Sequence, residues 1–307
     1  MIEDIPTAEE FTDSGKGLLD VAWETVIGLF ENLSDAERHG YELDEIAADY
    51  WTASRRKLAT SLTIAQQGVE FLLKARIASV SPFLLLADSP EKWPRKSDSL
   101  QFSDFRTIDA SSLIRVHNTV CASKLSEEFS TRFNAFRDVR NKLSHTVNKA
   151  LVIEGAEVLR MVLFFHSELI TDVRWASTRK SFVRVSALNV LINEDDVTNI
   201  MCSEIEQVLK ILTPAESRKY FLVDRNKTRY LCPNCYENSN SDYDFETRLA
   251  VLKSRSGSHA TLYCPVCDGE KKVDARSCSP VCCTGALFGC GRYDEEICLL
   301  CGCAAPE

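Results

Sequence analysis

Long hydrophobic runs are missing from this 307-residue chain. The longest, such as Phe83-Leu84-Leu85-Leu86, span a handful of residues, whereas a membrane helix needs about 20. The N-terminal stretch MIEDIPTAEEF has no apolar signal core. No secretory route is therefore expected, and the expected location is the cytoplasm. Basic residues are scarce at the same end: residues 1–50 carry 2, against 14 acidic ones. The other 257 residues carry 34 basic and 31 acidic side chains, so the net charge of −9 belongs to the first 50. A uniformly basic nucleic-acid wrapper is disfavoured, while a local basic site stays open. Cysteine is nearly absent from the first 231 residues, which hold only Cys121 and Cys202; eleven more crowd the last 76. No internal repeat and no low-complexity tract occurs. With 45% hydrophobic and 26% charged residues, the composition is that of a globular protein rather than a disordered one. The length fits two domains better than one.

What is present in the first part is helical periodicity. A helix is expected over Gly17–Leu33, with an acidic polar side. A second is expected from about Asp44 to Val80, where Leu58, Leu62, Ala65, Val69 and Leu72 recur at helical spacing and Pro82 ends the run. Asp88–Ser112, rich in Ser, Asp and Pro, reads as a long loop. Further helices are expected over Ser126–His145 and Glu154–Ile170. Four such helices suggest an up-down bundle. Ser181–Ile192 starts with strand-like alternation. Ser203-x-x-Glu206 and Thr213-Pro214-Ala215-Glu216 look like capping boxes that open helices. Tyr220–Val223 and Arg229–Leu231 read as short strands around a turn. The expected fold is mainly α: a helical bundle over 1–170, a connecting α/β segment over 171–219 and a small β-rich, cysteine-rich module over 220–307.

The cysteine spacing points to metal. Cys232-Pro-Asn-Cys235 and Cys264-Pro-Val-Cys267 are two C-P-x-C units, each after a strand-like stretch. A zinc ion takes four thiolates in a tetrahedron, and two such turns on facing hairpins supply them. The arrangement is similar to zinc-ribbon domains. A pair of redox dithiols is the competing reading. Cys298-Leu-Leu-Cys301-Gly302 is a third unit, with the glycine such turns favour; Cys278-x3-Cys282, or Cys283, offers a facing pair. The expected second set is Cys278, Cys282, Cys298 and Cys301, and ligands interleaved between the two sites remain open. His259 is a further candidate, more simply read as a solvated residue. Four cysteines close each set, whereas a catalytic zinc keeps one position open. No H-x-E partner of the deaminase kind accompanies them. Zinc is therefore expected in a structural or recognition role, as one or two ions.

The helix expected over Ser126–His145 carries an apolar stripe, Phe129, Phe133, Phe136, Arg140, Leu143 and Val147, broken once by Arg140. A buried guanidinium needs a partner or a site. Glu70 and Asp138 are candidate partners. Asn141 and His145 share one face, and Arg137 lies one turn before Asn141. Arg132, Arg137, Lys142 and Lys149 form a local basic rim. Arg174, Arg179, Lys180 and Arg184 form a second basic cluster.

Arg140-Asn141-Lys142-Leu143-Ser144-His145 resembles the R-x4–6-H motif of the HEPN superfamily of α-helical ribonucleases, including the polar residue after the arginine. The upstream run from Val69 to Arg76 is similar to one that many HEPN domains carry. The resemblance spans about residues 15–170. A second match, Arg160 to His166, lies in an apolar stretch better explained as core. Thr146 and Val147 follow the histidine, so the tyrosine of nucleotidyltransferase-paired HEPN toxins is missing. The resemblance implies metal-independent endoribonuclease activity, with His145 in proton transfer, Arg140 on the phosphorane, Asn141 holding phosphate or orienting His145, and Arg137 and Lys142 binding substrate. It also implies RNA as substrate, a homodimer with a composite cleft, a role as toxin or antiviral effector, and a zinc module that recognises substrate or a regulatory protein. The competing reading is a non-catalytic bundle and zinc module that dimerises and contacts nucleic acid or protein.

Overall fold

A computed structural model describes residues 2–93, 100–145, 153–186, 194–239, 247–276, 278, 283, 286–290 and 295–304. The described residues are mainly helical and end in an antiparallel sheet. They fall into two compact units, Met1–Leu29 with Tyr41–Leu169, and Phe30–Gly40 with Ile170–Glu307. No described helix is long and apolar enough to cross a membrane.

The first unit holds β1 (Ile2–Glu3), α1 (Ala8–Arg38, to Leu29), α2 (Leu43–Ala78), β2 (Leu100–Gln101), α3 (Ala110–Val120), α4 (Glu127–His145) and α5 (Gly155–Leu169). β1 and β2 pair in parallel. α1 starts well before the expected Gly17. Thr7 and Glu10 form a reciprocal cap there: the Thr7 N–H donates to Glu10 Oε2 at 2.7 Å, and the Glu10 N–H donates to Thr7 Oγ1 at 3.1 Å. The T-x-x-E signature was present in the sequence. α3 occupies the end of the expected loop and continues past it, burying Leu113 and His117 one turn apart.

α2 is the central helix. Its predicted stripe, Leu58, Leu62, Ala65, Val69 and Leu72, is buried, and it packs against α3, α4 and α5. The predicted stripe of α4 is buried at Phe129, Phe133 and Phe136. These rings meet Phe164 and Phe165 of α5, with Phe129 edge-on to Phe165 at 5.1 Å. α1 crosses α2 backbone to backbone at Gly15 and Gly68. A Cβ added at Gly68 would lie 2.9 Å from the Gly15 carbonyl oxygen. Gly68→Ala is therefore expected to cost about 1–3 kcal/mol through overpacking. Equilibrium unfolding checks it, and a variant as stable as the parent would show that the helices do not meet this closely.

The second unit holds the end of α1, α6 (Trp175–Val185), α7 (Glu194–Ile211), α8 (Pro214–Phe221), β3 (Arg229–Tyr230), α9 (Pro233–Glu237), β4 (Ala250–Ser256), β5 (His259–Cys264), β6 (Gly269–Ala275), β7 (Leu287–Cys290) and β8 (Glu296–Cys298). The six strands β3 to β8 lie in sequence order, all antiparallel, with a register irregularity between Leu252 and Ser254.

Residues 171–223 correct three expectations. The alternation after Ser181 belongs to a helix: α6 buries Trp175, Ala176, Arg179 and Val183, a helical face; residues 187–193 lie outside the described residues. Ser203 opens no helix. It sits inside α7, which begins at Glu194. Tyr220–Val223 is not a strand, because Tyr220 and Phe221 finish α8 and Leu222 takes a left-handed conformation at φ +56 to end it. The Thr213–Glu216 capping box forms as read.

The basic cluster of α6 is also rearranged. Arg179 is buried and bonds Glu204 of α7 through three contacts of 2.7 to 3.2 Å. Arg174 pairs with Asp268 at 3.0 Å. Beside Arg179, Ser203 Oγ donates to Glu31 Oε1 at 2.6 Å. Burial pushes the Glu31 carboxyl up to about 7; the Ser203 bond opposes this, and Glu204 and Asp35 add to it. The folded chain thus holds a proton that the unfolded chain releases near 4.5. Stability is expected to fall between about pH 4.5 and 7, by about 3 kcal/mol in total. Glu31→Gln keeps the acceptor for Ser203 and removes the titration. The variant should be more stable than the parent at pH 8 and equal near pH 4; equal melting at pH 8 would refute the assignment.

Candidate metal centres and the Arg140 cluster

Cys232 follows β3 and caps α9, with Pro233 at the first helical position, and Cys235 is carried inward on α9. Cys264 ends β5 and pairs in register with Gly269. Cys267 therefore lies in a four-residue loop, which Asp268 closes at φ +45. The four sulfurs lie within 4.8 Å of one another. Cys235 Sγ is 3.4 Å from Cys267 and 3.7 Å from Cys264; Cys232 is 3.8 Å from Cys267. Metal–sulfur bonds of 2.3 Å in a tetrahedron place sulfurs about 3.8 Å apart, whereas a disulfide needs about 2.05 Å. The spacing is that of a ligand cage, and these four cysteines are free thiols. Hydrogen bonds from Cys232, Cys235 and Cys264 hold the Cys267 thiol well below its usual range, so the group already favours a thiolate.

Asp268 ties this loop to α6. It accepts from Tyr263 Oη at 2.6 Å, Ser177 Oγ at 2.8 Å and Arg174 Nη1 at 3.0 Å. Burial, reinforced by Asp268, pushes the Tyr263 hydroxyl up, so it stays a donor. Cys202 is fully buried on α7, and its thiol is the leading influence that raises Cys235. No spacing rule in the sequence connects residues 202 and 235.

A second group joins Cys278, Cys283, Cys298 and Cys301. Cys278 and Cys301 are 3.9 Å apart, and Cys283 and Cys298 are 3.5 Å apart. Cys298 ends β8, and Gly302 turns the chain at φ +83, as its place in the motif suggested. Burial raises the Cys298 thiol, while the backbone N–H groups of Cys301 and Leu300 donate to its sulfur and lower it. The fourth corner is Cys283. Cys282, named in the expected set, lies outside the described residues. Among the described residues the two groups do not interleave. His259 belongs to neither and sits exposed beside Asp274. Each group could hold a metal ion, and four thiols leave no open coordination position.

In the first unit, Arg140 has the partner its place on the stripe required. Its Nε donates to Gln66 Oε1 at 3.1 Å and its Nη2 to Glu70 Oε1 at 3.2 Å. Gln66, fully buried, also donates to Glu70 at 3.1 Å. The Arg140 and Glu70 side chains are 29% and 18% exposed, so the pair is shielded yet reachable from solvent. Burial raises the Glu70 carboxyl, and Arg140 counteracts this. Lys74, one turn on, is lowered by burial and donates to Thr107 at 3.3 Å. Gln66 escaped sequence reading; its i, i+4 spacing to Glu70 was the available signal.

Comparison of the chain with family models, curated proteins and solved structures finds no match.

Arg137 and Asn141 are half-buried and Lys142 is exposed. His145 is the last residue of α4, one turn beyond Asn141; its side chain lies outside the described residues, as do Val147 and Lys149. The second motif match is core. His166 is buried, and Arg160 pairs with Glu157 at 2.6 Å.

Proposed function

We propose that this chain is a HEPN-type endoribonuclease that works without a catalytic metal, and that its C-terminal sheet is built around two structural zinc ions. The observation that carries the first part is the Arg140 anchor. A guanidinium held by Gln66 and Glu70 keeps a fixed place on α4, beside Asn141 and one turn and a half from His145. A positive charge held in place on the same helix as a histidine supports in-line cleavage of RNA, which needs a stabiliser for the phosphorane and a proton-transfer group. In this reaction His145 takes the proton of the ribose 2′-OH, the 2′-oxygen attacks phosphorus, and the 5′-oxygen leaves with a proton from water, to which His145 returns its own. Arg140 stabilises the charge that gathers on the phosphorane oxygens. Asn141 orients the phosphate or His145, and Arg137 and Lys142 bind flanking phosphates. The products carry a 2′,3′-cyclic phosphate and a 5′-hydroxyl. Two copies bring their α4 helices together across a two-fold axis. Toxin or antiviral activity is the role such a nuclease would serve.

The zinc assignment is supported by all-sulfur ligand sets at tetrahedral spacing, which suit zinc over magnesium or calcium. One observation favours a second, non-catalytic reading: the Glu70 ion pair alone gives Arg140 a structural task inside the bundle. Cleavage of RNA in buffer without added divalent ions, abolished by His145→Ala, separates the two readings.

A further inference from the structure

The solvent face of the C-terminal sheet carries a groove that neither cysteine group uses. Strand register sets Ser256, His259 and Asp274 side by side in one row, and Ser254, Thr261 and Lys272 in the row two residues along. Rows two apart share one face of a sheet. Between them Ala260 and Val273 turn into the core. Together with Phe288, Gly289 and Glu296, these residues line a groove of about 570 Å³. Its charges are distinct in kind. His259 Nδ1 lies 3.3 Å from Asp274 Oδ1, which orients the ring. Glu296 is neutralised by Arg276, which also covers the Phe288 ring at 4.6 Å. Lys272 has no ion-pair partner among the described residues.

We propose that this groove binds single-stranded RNA, with a phosphate at Lys272, Ser254 and Thr261 and a ribose at the His259–Asp274 pair. An ammonium beside hydroxyl donors is a phosphate-binding set. A carboxylate can only accept hydrogen bonds, so Asp274 suits a 2′-OH donor and repels a second phosphate. That favours ribose over deoxyribose. From β4 to β7 the groove crosses three strand spacings, about 14 Å, room for a short strand segment. A peptide finds no apolar anchor there, because Phe288 is 1% exposed beneath Arg276. The inference rests on the RNA reading above and adds a binding surface away from α4.

The test uses the zinc-loaded full chain carrying His145→Ala, so that RNA survives. Anisotropy of a short labelled single-stranded RNA, and of DNA of the same sequence, is followed against salt. Lys272→Glu should weaken RNA binding about tenfold or more and lower the salt slope by about one. Asp274→Ala should erase the preference for RNA over DNA. Unchanged RNA affinity in Lys272→Glu, or DNA bound as tightly as RNA by the parent, overturns the proposal. The two readings fail separately. RNA cut by the active chain, with no Lys272 dependence of binding, removes the groove and leaves the nuclease; tight Lys272-dependent binding without cleavage does the reverse.

Discussion

Protein purified without chelator is expected to hold two zinc ions per chain, and stripping them is expected to unfold the C-terminal sheet. The reason is the size of the opposing terms. A structural tetrathiolate zinc contributes about 10–16 kcal/mol at neutral pH, as much as the whole stability of a typical domain. In each group four sulfurs lie within 4.8 Å of one another, and a metal ion would neutralise the thiolates crowded there. β3 has two residues and β8 three, too short to hold register on backbone hydrogen bonds alone. Cys264→Ala should leave one zinc, Cys301→Ala the other, and the double variant none. Elemental analysis gives the count, and circular dichroism with and without chelator follows the sheet. Fewer than two ions in the parent, or a native sheet after complete removal, would refute the two-centre account.

The second large effect concerns Arg140. Arg140→Ala is expected to lower RNA cleavage by about 10²–10³-fold, the usual loss of a preorganised charge-stabilising donor. It should also destabilise the bundle by about 1–2 kcal/mol, because Glu70 is left half-shielded without its cation. The two losses can be parted. Arg140→Met with Glu70→Leu and Gln66→Met replaces the whole hydrogen-bonded trio by apolar side chains of similar size and should recover the stability. It should not recover cleavage. Cleavage that returns together with stability would make Arg140 a structural residue.

The chain's two patterns differed in how legibly they were written. The stripe of α2, the phenylalanines of α4 and the C-x-x-C turns repeat at fixed short spacing, so local geometry alone fixes where those residues go. The break at Arg140 was legible for the same reason, and Glu70 was among its expected partners. What stayed hidden depends on residues far apart in the chain. Gln66 meets Arg140 across 74 positions, Glu31 meets Ser203 across 172, and Cys202 reaches Cys235. Arg179 reads as part of a basic cluster because nothing near it in sequence announces Glu204. In α8, helical capping at Thr213 overrode the strand propensity of Tyr220 and Phe221. Cys282 and Cys283 offer the same corner at adjacent positions, and spacing alone does not choose between them.

The nuclease assignment is tested most directly by reading the ends of cleaved RNA. Zinc-loaded parent and His145→Ala are incubated with a mixed RNA pool in buffer without added divalent ions. Fragments ending in 2′,3′-cyclic phosphate and starting with 5′-hydroxyl are expected from the parent, at least about 100-fold scarcer with the variant. Equal cleavage by both, fragments ending in 3′-hydroxyl, or intact RNA in the presence of the parent would contradict the assignment.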